Sequence, residues 1–496
     1  MLENKFNLID EPWIPIVDLG KVSLREVFSN PDCRALGGNP IQKIALTKLL
    51  LAIAQAAYTP VDDEDWEGLG VEGLSQKCLA YLDQWHDRFY LYGERPFLQM
   101  RAIQQAAVQS LGAVLPQVAT GNTTVLTQVQ SEKNWIFQDS DKALLVLTLM
   151  GFCLGGKKTD NSIVLSPFYT EKNKENGKER SGISGSSLGF YGFMHNFIQG
   201  NSLLESLWLN LLTLENIQES RIYPNGLGSP PWQTMPEGED CFISKSLKSS
   251  LMGRLIPLSK FCLFSSEGIH YSDGIVHSGY KEGVFDPSIA VNFSGKTPSA
   301  IWVDPEKRPW RQLTALLVSS IQGSSNGYDC IQLRYSLKKA RQKLRYVMIW
   351  SGGLQVSNVS GEQYISGNND FVESQVQISL MGESWLENLK FEMLELEALS
   401  KKIYMSVLKF FKSLTLDSEA QAKLASHLFW QLCERKFQAL INACDAENSL
   451  EKIKSLRNSF VGYAYQVYEQ FCPKETARQL EAWAKNRPNF SKYINS

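Results

Sequence analysis

The change of texture at Ser384 constrains the fold more than any other feature of this chain. From there, about 110 residues keep a helical hydrophobic period, with few glycines or prolines before Pro473. Leu396, Leu399, Ile403, Val407 and Phe410 recur at about three to four residues, as do Leu428, Leu432, Phe437 and Leu440, so both stripes should face one core. Before the change, from about residue 250 to 382, short β-prone runs such as KFCLF, IAVNF and AIWV alternate with Gly, Pro, Ser and Asp around a helix near Gln312 to Ile321. The expected class is α+β: a large mixed N-terminal globular domain over residues 1–382, followed by a C-terminal four-helix bundle over 383–496.

The first part of the chain supports that division. In FNLIDEPWIPIV, Pro12 and Pro15 forbid a regular helix and favour an extended or edge strand. Helical patterns follow over Pro40–Tyr58 and Gly73–Tyr90, the second with Leu74, Cys78, Tyr81, Leu82 and Trp85 at helical spacing. Ala143–Leu154 is again helical in period and stops at Gly155, Gly156, Lys157 and Lys158, where cations suit a helix C-terminus. ATGNTTVLTQVQ, Ala119 to Gln130, suits a strand or an ordered loop equally. Residues 170–190 are loop-like, with mixed charges giving way to Gly and Ser. The plain reading is a surface connection; the sharper one is that Gly182, Gly185 and Gly189 let the backbone approach another polymer closely.

Composition narrows the function. With 43% apolar and 21% charged residues, the chain of 496 residues is an ordinary folded protein. The longest apolar run, ALTKLLLAIAQAA, contains Lys48 and Gln55 and falls short of a bilayer span, and no membrane association is expected. MLENKFNLID has neither a basic nor an apolar signal region, so a cytoplasmic location is expected. A net charge of −2 argues against a free-standing nucleic-acid binder; any such contact must come from local patches or be shared with partners. The 9 cysteines form no C-x-x-C pair, which favours buried thiols over a metal or redox site, and no cofactor is expected.

No catalytic pattern holds together. The 5 histidines make no H-E-x-x-H or comparable metal arrangement. A literal G-x-S-x-G at Gly185–Gly189 follows a charged loop instead of the apolar strand that a nucleophile elbow needs. GFCLGGKK, Gly151 to Lys158, nearly matches a phosphate-binding loop, but Lys158 replaces the Ser/Thr for magnesium and the motif ends a helix. The acidic run Asp62, Asp63, Glu64 and Asp65 has the contiguous spacing of a solvated loop. The expectation is a protein that is not an enzyme.

Four segments, in order, carry a resemblance: LIDEPWIPI; RFYLYGERPFLQM at 88–100; GRLIPLSKFCLF at 253–264; and GGLQVSNVSGEQYISGNNDFVES at 352–374. Together they resemble the large-subunit (CasA) family of type I-E CRISPR Cascade complexes, over essentially the whole chain. The resemblance implies a non-catalytic subunit that recognises the protospacer-adjacent motif in double-stranded DNA and helps open the duplex for R-loop formation. Its implied partners are the target DNA, the crRNA-containing Cascade subunits and a recruited helicase-nuclease. Carried over by position, a lysine finger corresponds to Lys281 in GYKEGVFDP, and a polar wedge to Gln355–Asn358, with Gln355, Ser357 and Asn358 as its polar members. A glycine-rich loop corresponds to Ser181–Gly189, with Gly182, Ser184, Gly185 and Ser186 as its DNA-facing members; Gly155 and Gly156 are a rival placement.

Glycine amides and a lysine suit minor-groove acceptors without demanding one sequence, and amide side chains can replace base-pair hydrogen bonds as strands part. Where some relatives have an unbroken glycine run, this chain has Ser-Gly-Ile-Ser-Gly-Ser-Ser, and the Cys-rich knuckle of some members is missing. GNTTVLTQVQ lies where relatives place a loop contacting the guide. A purely structural docking subunit with no motif reading is the alternative, and it predicts that Lys281 and Gln355 can be changed without harm.

Overall fold

The computed structural model describes residues 3–115, 137–152, 154, 159–161, 192–322, 327–359, 362–365, 370–380, 384–445 and 449–495. The chain has mixed α and β content, with small sheets and helices in its N-terminal part and helices alone from Ser384 onward among the described residues. Contacts divide it into two compact units, residues 1–343 with 347–375, and residues 344–346 with 376–496. No helix among the described residues is long and apolar enough to cross a membrane.

The first unit is built around the helix Pro40–Ala57. Asn39 and Gln42 form a reciprocal capping box and Pro40 occupies the first turn, so the start is fixed by local chemistry. The helix is apolar nearly all round and is packed by the helices Asp63–Gln84, Asp139–Gly151 and Leu203–Asn210. The acidic run is not a loop: Asp62 caps the Asp63–Gln84 helix, accepting from Asp65 N, and the following three carboxylates occupy the first turn, where the helix dipole favours them. That helix also stops earlier than its periodicity predicts. The chain leaves helical geometry at Trp85, and Tyr90–Tyr92 pairs antiparallel with Lys5–Asn7. The N-terminal stretch with its two prolines forms two short strands, Lys5–Asn7 and Ile14–Ile16.

The sheet that leads to Gln355 has three strands, in the order Phe371–Ser379, Tyr346–Leu354, His195–Gln199. The last two are antiparallel, from Met348 opposite Gln199 to Gly352 opposite His195. A second sheet pairs Lys260–Phe264 with Ile269–Asp273, which in turn pairs Val108–Gln109. KFCLF is one of its strands, and it is buried on both faces.

Beyond the strand residues at 346 and 376–379, the described residues of the second unit form helices, the longest being Ser384–Ser413, Glu419–Glu434 and Ser449–Phe471. Leu396, Leu399, Ile403, Val407 and Phe410 are at most 2% exposed, as their spacing predicts. Within this core Arg457 makes a two-pronged ion pair with Glu392, at 3.0 and 2.5 Å, almost completely buried.

Candidate nucleic-acid interface

Lys281 sits on a single 3-10 turn, Tyr280–Glu282, closed by Gly283 at φ +89°, a left-handed conformation that favours glycine. Lys281 and Glu282 face solvent while Tyr280 turns inward, so the turn presents its lysine from a buried aromatic base. Both flanks are tied down. On one side the buried Arg254 donates to the Ser278 carbonyl (3.4 Å) and hydroxyl (3.2 Å); on the other, the Tyr223 hydroxyl donates to the Phe285 carbonyl (3.1 Å).

Beyond Phe285 the segment is nailed to the core by a buried polar network. Lys48, on the apolar helix Pro40–Ala57, pairs with Asp286, and both are almost fully excluded from water. Ser288 donates its hydroxyl to Asp286 Oδ1 (2.6 Å) and shares a 2.7 Å hydrogen bond with His195 Nδ1. Burial works against the Asp286 carboxylate, but Lys48 and His195 nearby, with hydrogen bonds from Lys48 and Ser288, outweigh it and hold the carboxyl down at about 2. Burial pushes His195 down to about 4, Asp286 opposing and Lys48 adding to the shift, so its imidazole is neutral at pH 7. Ser, His and Asp meet here in a sealed site; His195 and Ser288 are each 1% exposed, which denies a substrate access.

The wedge segment leaves the end of the Tyr346–Leu354 strand. A methyl group on Gly353 would stand 2.5 Å from Val303 Cγ2 and 2.6 Å from the Phe193 carbonyl oxygen, and one on Gly352 would meet the Trp350 ring at 2.7 Å. Both positions require glycine because neighbouring chain presses against the strand there. Leu354 is fully buried; Gln355 is exposed, with its backbone N–H donating to the Asp370 carbonyl (2.9 Å). Ser357–Val359 then pairs with Glu362–Tyr364, Ser357 opposite Tyr364 and Asn358 opposite Gln363, so Ser357 and Asn358 lie on a hairpin that follows directly on Gln355.

Phe193 joins these parts. Its ring meets the Tyr280 ring edge-on at 5.6 Å and lies 4.8 Å from the Trp302 ring. Gly192, at φ +62°, lies against the Leu354 carbonyl and accepts from Val303 N at 2.8 Å. The lysine turn, the root of the wedge and the chain at Gly192 therefore share one neighbourhood. Gly182, Ser184, Gly185 and Ser186 lie outside the described residues, as do the rest of Ser181–Gly189, the rival Gly155 and Gly156, the literal G-x-S-x-G and the stretch GNTTVLTQVQ.

Sequence reasoning does not single out Phe193, Trp302, Tyr280 or the Lys48–Asp286 pair. Only Lys48 carries a signal, a cation within an apolar helix, which needs a buried partner. His270 and His277 bond to the carbonyls of Ala106 (2.8 Å) and Pro257 (2.6 Å) in the core. Among the described residues no group of three or more His, Cys, Asp or Glu is placed to hold a metal ion, and the described cysteines are free thiols.

A family model described as CRISPR-associated protein Cse1 matches residues 7–467. The CRISPR-associated protein CasA/Cse1 of Thermus thermophilus is 27% identical over 338 residues, which is 63% of this chain and 60% of that protein's length. This chain thus matches less than two thirds of that relative. The crystal structure of Thermobifida fusca Cse1 superposes with a TM-score of 0.77 at 20% identity, covering 99% of this chain and 98% of the other. A structure of Thermus thermophilus CasA (Cse1) gives 0.69 at 19% identity, covering 99% of this chain and 100% of the other. At these identities the two structures establish a shared fold.

Proposed function

The chain belongs to the CRISPR-associated Cse1 family, and from that premise we propose that it is the non-catalytic large subunit of a crRNA-guided type I-E Cascade complex that recognises the protospacer-adjacent motif in double-stranded DNA. In this reading Lys281 reaches minor-groove acceptors, Gln355 with Ser357 and Asn358 intrudes where the strands part, and the glycine amides of Ser181–Gly189 approach the minor groove. Residues 1–382 read the motif and dock on the crRNA-bearing subunits. Residues 383–496 act as a four-helix bundle, and the subunit recruits the helicase-nuclease in the cytoplasm.

The observation that carries the reading is that the chain just before an exposed lysine and the chain just before an exposed glutamine, at Tyr280 and at Gly353–Leu354, meet at Phe193 and Gly192 although far apart in sequence. The buried anchors behind Lys281 suit a residue that must be held out at a fixed place before its ligand arrives. Net charge near zero fits a subunit whose partners carry much of the nucleic acid.

The test is DNA binding by the assembled complex with Lys281→Ala and Gln355→Ala combined, on targets with and without the flanking motif. Loss of the preference for motif-bearing DNA, by about tenfold or more with assembly intact, is the expected result. An unchanged preference would leave the subunit a docking platform.

A further inference from the structure

Tryptophans in this protein are mostly interior: Trp13, Trp66, Trp310 and Trp385 are at most 2% exposed, whereas Trp302 is 41% exposed. Its neighbours Ile301 and Val303 are only 5% and 8% exposed, so in this extended stretch the backbone turns Trp302 outward and its neighbours inward. Phe193, 1% exposed, lies beneath the indole with ring centres 4.8 Å apart and also supports Tyr280 at the base of the Lys281 turn. Val303, the next residue, packs on Gly353 just before the wedge. Phe293 is 47% exposed at the root of the hairpin formed by Val291–Asn292 and Ser299–Ala300, its ring 5.7 Å from that of Phe285 just beyond the same turn. Lys296 lies three residues from Phe293 and Lys307 five from Trp302, both exposed and with the exposed Glu306 beside Lys307, while Lys281 follows Tyr280 directly.

Half-exposed aromatic rings on a rigid base among lysines are what single-stranded nucleic acid binds: bases stack on the rings and the cations meet the phosphates. A duplex offers no free base face, so such a surface acts only where pairing is broken, which is where Gln355 begins the wedge. Resting on the reading of Lys281 and Gln355 as DNA contacts, we propose that Trp302, seconded by Phe293, is a stacking platform for a nucleobase unpaired beside the flanking motif.

The experiment uses the assembled complex and duplex targets carrying 5-iodo-2′-deoxyuridine, one position at a time, across the junction between motif and target. Irradiation is expected to crosslink one or two adjacent positions to Trp302, identified by peptide mass spectrometry. Trp302→Ala should weaken binding of motif-bearing DNA by about 5- to 150-fold, the range for losing one stacked base, and Trp302→Phe should restore most of it. Should Trp302→Ala block assembly, Trp302→Phe and Phe293→Ala carry the test, the latter with a smaller loss and a displaced crosslink.

Crosslinks that avoid Trp302, with affinity unchanged in all variants, overturn the proposal, as does burial of Trp302 against another subunit in hydroxyl-radical footprinting without DNA. If Trp302→Ala weakens binding while Lys281→Ala with Gln355→Ala leaves motif preference intact, the platform stands and the motif reading falls. The reverse pattern removes the platform and keeps the reading.

Discussion

Lys48 is an ammonium on a helix that is apolar nearly all round, and its partner Asp286 lies within the stretch that carries Lys281. Deep burial makes this pair costly to form and costlier to break, because removing one charge strands the other away from water. Lys48→Met is therefore expected to lower stability by about 3–5 kcal/mol in urea unfolding of the full chain, and a change below about 1 kcal/mol would contradict the pairing. The network also gives stability a pH dependence. His195 titrates near 4 in the folded chain against 6.5 when unfolded, so the unfolded state takes up protons first as pH falls. Stability from this group is full above pH 6.5 and is lost as pH drops towards 4, by an amount on the order of 3 kcal/mol. His277, pushed far down by burial, adds in the same direction. Asp286 runs the other way in cause, its folded carboxyl being depressed to about 2, and it withholds its own loss until pH falls below 3.8. Urea midpoints at pH 7 and pH 5 check the histidine effect; equal midpoints would refute it.

Among the elements, the Tyr346–Leu354 strand places the segment proposed as the wedge, and neighbouring atoms crowd its glycines. Gly353→Ala puts a methyl group within 2.6 Å of the Phe193 carbonyl, a backbone atom that cannot swing aside. The expected outcome is a loss of about 1–3 kcal/mol together with weaker motif preference in DNA binding, since the strain falls on the segment leading to Gln355. A variant with normal stability and normal binding would show that the close approach is dispensable. The same elements show what the sequence can convey. Helices are legible where caps and period agree, as at Pro40–Ala57 and from Ser384 onward, because those signals act within a few residues. The acidic run misleads because an N-terminal helical turn and a solvated loop favour the same residues, and only the Asp62 cap separates them. Lys281 and Gln355 are marked by resemblance alone. Phe193, Tyr280, Trp302 and Gly353 meet across more than 100 residues of chain, and no local period reports such a meeting.

At the scale of the molecule, the two units have cores of different kinds, one of small sheets around an apolar helix and one mainly of helices. Each also holds buried ion pairs, among them Lys48–Asp286 in the first and Glu392–Arg457 in the second. If each core melts as its own cooperative unit, a broken pair acts only on the unit that holds it. Glu392→Ala leaves the Arg457 guanidinium facing Phe391 and Tyr493 with its carboxylate gone, at a cost of about 3–5 kcal/mol. In calorimetry of the full chain this is expected to lower one of two transitions by roughly 10 °C or more. Lys48→Met should lower the other. A single transition moved by both variants would mean that the cores unfold together. The difference bears on the proposed function, because Lys281, Gln355 and Trp302 all belong to the first unit. Glu392→Ala below its own transition should then leave motif preference in the assembled complex unchanged, and a loss of preference there would place part of the DNA-reading machinery in the helices.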